Sequence, residues 1–188
     1  CLPILCCGLS VAWTSTIIPQ LQKENNTLDM EPLTLDQASW LGSAVPFTSL
    51  FIVFVGGSFT EIFGRRRTGL MIGVPFTLSW LLRLFATDFY HILISQILYG
   101  IADAFGFLLA PLYITEITAV SVRGFMANFM VFSFQVGLLL GYVLGAVVSY
   151  KTFAIVGFII PIVYFGGVLL LPESPVWLAR HNQVDNAK

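Results

Sequence analysis

The 188-residue sequence predicts an all-α membrane protein with six transmembrane helices. Three observations carry that prediction. The first is composition: 57% of the residues are hydrophobic, Phe alone occurs 17 times, only 10% are charged and the mean hydropathy is +0.87. An average soluble domain carries about 25% charged residues, and one of this size leaves much of its chain in water, so it could not hide that much apolar surface. The second is the presence of six apolar windows, each near the roughly 20 helical residues that a bilayer core requires. The third is a lopsided distribution of Lys and Arg between the connecting segments. Together they exclude a soluble enzyme or a disordered chain. With 9 Lys+Arg against 10 Asp+Glu there is also no basic surface to hold a nucleic-acid backbone.

The first window covers about Leu2–Pro19. It lacks the basic leading segment of a signal peptide and holds Trp13, Thr14, Ser15 and Thr16 where a signal core would be greasy, so it reads as a spanning helix. Cys1, Cys6 and Cys7 form an odd, clustered set with neither disulfide nor zinc spacing. They read as core or lipid-facing thiols, with palmitoylation of Cys6 or Cys7 as the alternative. The remaining windows are about Gln37–Gly57, Gly69–Thr87, His91–Ile114, Phe125–Tyr150 and Phe153–Leu171. They give a six-helix unit over residues 1–171 and a polar tail over 172–188, with short connections that make successive helices antiparallel neighbours. The chain opens at Cys1 without an initiator Met and stops in that tail, which reads as part of something longer.

Sidedness follows from the loops. Arg65, Arg66, Arg67, Arg123, Arg180 and Lys188 fall on one side; Lys23, Arg83 and Lys151 fall on the other. The basic side is expected to be cytoplasmic, with both termini inside. The first outer loop, about Gln20–Asp36, is acidic and holds Asn25-Asn26-Thr27, a glycosylation sequon at Asn25. Pro46, Pro75, Pro111 and Pro161 lie within spans and read as kinks whose freed carbonyls neighbouring helices can satisfy. Gly137, Gly141 and Gly145 recur at every fourth residue of the fifth helix, where they would let another backbone approach or, less commonly, line a passage.

Charges near a membrane are costly, so their placement is informative. Gly57, Glu61, Gly64, Arg65 and Arg66 mark a tight turn between the second and third helices. Glu116 ends the fourth helix in Pro111-Leu112-Tyr113-Ile114-Thr115-Glu116, Arg123-Gly124 opens the fifth, and Glu173 sits in Pro172-Glu173-Ser174-Pro175 after the sixth. Acids and bases thus recur at three junctions on one side. Charge pairs that hold the inner ends of the helices together, and break when those ends separate, would account for all three.

These motifs resemble the sugar porters of the major facilitator superfamily over nearly the whole chain. The family's G-x-x-x-D-x-x-G-R-R is met as Gly57…Glu61…Gly64-Arg65-Arg66, with Glu for Asp; its P-x-Y-x-x-E, R-G and P-E-S-P are met at Pro111–Glu116, Arg123-Gly124 and Pro172–Pro175. Trp13-Thr14-Ser15, Ser39-Trp40-Leu41-Gly42 and Ser79-Trp80-Leu81-Leu82 resemble the insect facilitated trehalose transporter branch. The resemblance implies one half of a major facilitator fold, built as two inverted three-helix repeats. It further implies a facilitative carrier of trehalose or a hexose working by alternating access, with a second six-helix half, a sugar and the lipid bilayer as partners, and no cofactor.

Gln135 matches the family's sugar-binding glutamine of the fifth helix. Its chemistry alone leaves two readings, a polyol ligand or a helix–helix hydrogen bond, since a buried amide needs a partner. The arginine common early in the family's fourth helix is Gln96 here. Asp103, seven residues on, is an intramembrane acid that reads as packed or paired, or as a proton site. Proton-coupled members carry their acid in the first helix, which here has none; that favours a facilitator over a proton-coupled symporter. Arg83 is expected to snorkel to the outer interface. A non-transporting half-length protein is the rival from another class. A membrane-embedded enzyme is disfavoured, because His91 and His181 lie on opposite sides and no metal-ligand spacing exists.

Overall fold

The computed structural model describes residues 2–24, 28 and 30–170 and is built from helices. In chain order these are α1 (Leu2–Leu21), α2 (Leu35–Phe63), α3 (Arg65–Leu84), α4 (Phe89–Ile117), α5 (Arg123–Val147) and α6 (Tyr150–Leu170), with one 3₁₀ turn at Val120–Val122. Five of the six are long and apolar enough to cross a membrane. The exception is α3, which carries Arg65, Arg66 and Arg67 at its start and Arg83 near its end.

The boundaries follow from local chemistry. Thr34 caps α2 in a reciprocal capping box: its hydroxyl accepts from the Gln37 amide and the Gln37 side chain accepts from the Thr34 amide. Gly64 alone separates α2 from α3, with φ 86°. That conformation is strained for any residue with a Cβ, so the glycine lets two helices reverse direction within one residue. Its carbonyl accepts from both the amide (3.1 Å) and the hydroxyl (2.6 Å) of Thr68, which secures the first turn of α3. Pro46, Pro75, Pro111 and Pro161 all lie inside helices, as does Pro19. Such prolines are tolerated where a bundle re-satisfies the freed carbonyls.

α1 packs along α5, α4 lies between α2 and α3, and α3 also packs against α6. The α1–α5 seam is a small-residue interface. A Cβ on Gly8 would meet the backbone of Phe134 and Leu138, and one on Gly137 would meet the backbone of Leu5 and Leu9. The glycine repeat of α5 is therefore a packing seam, and Gly137, Gly141 and Gly145 are all buried in it. Two clusters form the core. Trp13, Leu41, Trp80, Ile92, Tyr150 and Phe153 fill the end remote from Arg65–Arg67. Cys6, Ile72, Phe76, Tyr99 and Ala102 fill the middle. Outside the core, α2 exposes Phe47, Phe51 and Phe54, and α5 exposes Phe125, Phe129 and Phe132. Surfaces so apolar belong against lipid or another protein.

Candidate functional site

Three groups of polar side chains lie at different depths in this apolar bundle. The first is at the arginine end. The Arg65 guanidinium makes a two-pronged pair with Glu116, Nε to Oε2 at 3.1 Å and Nη2 to Oε1 at 2.8 Å, and its Nη1 donates to the Thr60 carbonyl at 3.2 Å. The two side chains are 4% and 10% exposed. This is the planar fork-to-fork arrangement that only arginine supplies. It ties the start of α3 to the ends of α2 and α4. Arg66 Nη2 donates to the Leu169 carbonyl at 2.8 Å and so satisfies an end carbonyl of α6. Glu61 is exposed and shares a cleft with Gly57, Thr60, Arg65 and Glu116. Arg123 is exposed, and its Nε donates to the Thr118 carbonyl at 3.3 Å. Glu116 therefore engages Arg65 at the start of α3 rather than Arg123 across the turn at the start of α5. Gly57 and Gly124 have nothing within 4 Å of a would-be Cβ, so packing within this unit does not demand glycine at either. Glu173 and its flanking prolines, and the Asn25 sequon, lie outside the described residues.

The second group surrounds Arg83 and corrects an expectation. Arg83 does not snorkel outward; it is 0% exposed. Its guanidinium carbon sits 4.3 Å from the Trp13 ring centroid, 4.6 Å from Trp80 and 5.3 Å from Tyr99. Nη2 donates to Gln96 Oε1 at 3.1 Å, and Nη1 lies 3.4 Å from Ser10 Oγ. Gln96 Nε2 in turn donates to Thr14 Oγ1 at 3.0 Å. The physical reason is enclosure. The end of α3 is covered by the aromatic cluster of α1 and α6, including Tyr150, whose hydroxyl donates to the Arg83 carbonyl at 2.6 Å. Desolvated cation–π contacts of about 2 kcal/mol help to offset the burial of the charge. Gln96 thus still contacts a guanidinium, but one delivered from α3. The signal was present in the sequence: Trp80 and Arg83 stand three residues apart on one face of α3.

The third group is halfway along the helices. The Tyr99 hydroxyl lies 2.9 Å from Asp103 Oδ1 and 3.0 Å from the Cys7 carbonyl oxygen, and shares its one proton between these two acceptors. The Cys7 side chain is the other polar neighbour of the carboxyl. Asp103 is partly buried. Gln135 lies on α5 away from the glycine seam, is exposed, and makes no hydrogen bond among the described residues. The helix–helix reading of its amide is therefore not realised within this bundle. No group of His, Cys, Asp and Glu that could hold a metal occurs among the described residues.

An apolar bundle of membrane-length helices, fastened at one end by a buried ion pair and carrying polar side chains at mid-height, has the form of an integral membrane protein. Residues 5–188 match the family model for sugar (and other) transporters, and the chain belongs to that family. It is 32% identical over 181 residues to a facilitated trehalose transporter of Polypedilum vanderplanki, covering 96% of this chain and 36% of that protein. It is 29% identical to the facilitated trehalose transporter of Apis mellifera ligustica, with the same two coverages. In fold it resembles the xylose transporter of E. coli. The partially occluded inward-open form superposes with a TM-score of 0.78 at 21% identity, covering 99% of this chain and 51% of that one. The inward-open form superposes with a TM-score of 0.81 at 19% identity, covering 98% and 49%. The chain thus spans about a third of the length of these curated relatives and about half of the solved transporter chains, consistent with one half of a major facilitator fold. The family is one of transporters, not enzymes.

Proposed function

We propose that this chain is the amino-terminal, six-helix half of a facilitative sugar carrier for trehalose or a hexose. The observation that carries the reading is Gln135: an amide midway along a membrane-length helix, on a face this unit leaves uncovered, without a protein partner among the described residues. An unpaired amide at that depth is costly, and the hydroxyls of a polyol satisfy both its donors and its acceptor. The name shared by the matched relatives, facilitated trehalose transporter, supports the same substrate class.

In this reading residues 1–171 form the transmembrane unit and 172–188 begin the loop to a second half. The arginine end is cytoplasmic, the plasma membrane is the site of action, and the sugar binds between the halves near the membrane midplane, as carriers built from inverted repeats do. Transport proceeds by alternating access without a coupling ion, in keeping with an α1 that contains no acid. Arg65 and Glu116 belong to one unit and brace its inner end in every state. The exposed Glu61 and Arg123 are the charges placed to meet the other half and to release it as the inner side opens.

The test is uptake of labelled trehalose and glucose by cells expressing the complete carrier. Gln135→Ala should raise KM by roughly tenfold, the scale of a hydrogen-bonded pair or two, with surface expression unchanged. An unaltered KM removes Gln135 from the site, and absence of uptake of either sugar removes the reading.

A further inference from the structure

Asp103 has no role in the account so far, yet its surroundings are unlike those of a merely structural acid. A carboxylate offers about four acceptor sites. Among the described residues two side-chain donors are directed at this one, the Cys7 thiol and the Tyr99 hydroxyl at Oδ1, the latter shared with the Cys7 carbonyl, so about half of its acceptor capacity is unused. The Arg83 guanidinium lies against the Tyr99 ring, where Nη1 and Nη2 bond Ser10 and Gln96 and Nε has no hydrogen-bond partner among the described residues, and it makes no ion pair with Asp103. The charge is therefore not neutralised by an ion pair. Nor is it sealed away, since Asp103 remains partly exposed.

Asp103 and Gln135 also share a depth. Tyr99 and Asp103 meet α1 at Cys7, and Gly106 faces the Cys7 sulfur one turn on. On its other flank the next residue of α1, Gly8, lies against Phe134, immediately before Gln135. Phe107, one turn from Asp103 on the same face of α4, packs on Phe134 with ring centroids 5.8 Å apart. The two side chains thus flank the same level of α1, with an aromatic pair beside them.

We propose that Asp103 is a second sugar-binding residue, whose carboxylate accepts hydrogen bonds from hydroxyls of the same neutral polyol that Gln135 holds. The chemistry of the pair is complementary. Gln135 can donate and accept, whereas ionised Asp103 only accepts, so together they select a ligand with adjacent O–H groups and discriminate against one in which a hydroxyl is removed or alkylated. The aromatic pair supplies an apolar surface for a sugar ring. This inference rests on the sugar-carrier reading above.

The test uses the complete carrier, with labelled trehalose and glucose as probes and surface expression measured in parallel. Asp103→Asn preserves volume and removes the charge; it should raise KM by roughly tenfold, in line with loss of charge-assisted hydrogen bonds, and leave kcat within twofold. Asp103→Glu should recover part of the affinity. A set of monodeoxy sugars should contain one member whose KM is the same for wild type and Asp103→Asn, because the hydroxyl that reaches the carboxylate is already missing. A KM within twofold of wild type in Asp103→Asn overturns the proposal. So does a variant that keeps its KM but loses a pH dependence or an uphill accumulation shown by the wild type, because Asp103 would then be a proton site. In that arm the other titratable groups around it are Tyr99 on α4, Cys6 and Cys7 on α1, Arg83 on α3 and Tyr164 on α6; α2 and α5 contribute none at this level. If the wild-type carrier takes up neither sugar, the underlying reading fails and this inference fails with it. Wild-type uptake with an indifferent Asp103→Asn overturns the inference alone.

Discussion

Arg65 and Glu116 show how much one residue pair can settle in an apolar bundle. Both side chains are almost fully buried, and the pair joins chain positions 51 residues apart. A buried ion pair adds little net stability over an apolar replacement, but removal of one partner strands the other charge, at a cost of about 3 kcal/mol. Arg65→Ala and Glu116→Ala should each lower the melting midpoint of the purified protein in detergent. The double variant should be less destabilised than the sum of the two, because no lone charge remains. Additive effects in that cycle would show that the fork does not couple α3 to α4. The acids and bases were legible in the sequence, since their motifs stand out from an apolar background. Which base meets which acid was not, because Arg65 and Arg123 are both compatible with Glu116 until the helices are placed in space. Arg83 was misread for a related reason. Position near a helix end predicts snorkelling only where that end reaches water, and the aromatic side chains that enclose it come from α1 and α6, far away in the chain.

At the scale of elements, the α1–α5 seam depends on backbone approach. A Cβ at Gly137 would lie 3.1 Å from the Leu9 amide nitrogen and closer still to the Leu5 carbonyl, where no side chain can yield. Gly137→Leu should therefore separate α1 from α5 and cost more than about 2 kcal/mol, since overpacking against backbone cannot relax by a rotamer change. Gly124→Ala meets open space and should leave the melting midpoint unchanged, which makes it the matched control. Equal behaviour of the two variants would remove the seam from the account of stability. Gly64→Ala belongs with the first: at φ 86° and ψ 163°, a region essentially reserved for glycine, it should cost about 1–3 kcal/mol. The glycine repeat of α5 was visible from its spacing, and its partner was not, because Gly8 is isolated in α1 and gains meaning only opposite Gly137. Elements were easier to read than contacts for the same reason. Apolar length announces a spanning helix, whereas in lipid every face of that helix is apolar and the sequence does not mark which neighbour each one meets.

At the scale of the whole molecule, the uncovered surfaces are informative. α2 and α5 present rows of phenylalanines, Gly57 and Gly124 face open space, and Gln135 looks out from the same unit. Within the proposed carrier these features divide the charged residues into two groups. Arg65 and Glu116 are internal to one unit, so their loss should weaken that unit without regard to which way the carrier faces. Arg123 is exposed beside Gly124, and its Nε donates to the Thr118 carbonyl of the preceding turn, so its loss should leave the unit intact. Arg123→Glu in the complete carrier should therefore keep the wild-type melting midpoint while shifting the carrier towards its inward-open form. Sugar exchange, measured as counterflow of labelled trehalose or glucose into preloaded vesicles, should slow severalfold, as expected when a charge contact worth about 1 kcal/mol turns repulsive. A cysteine introduced beside Gln135 should at the same time become more reactive towards a reagent added from the cytoplasmic face. Unchanged counterflow and unchanged labelling would assign Arg123 to topology alone. A lowered melting midpoint would instead place it with Arg65 among the residues that hold the half together.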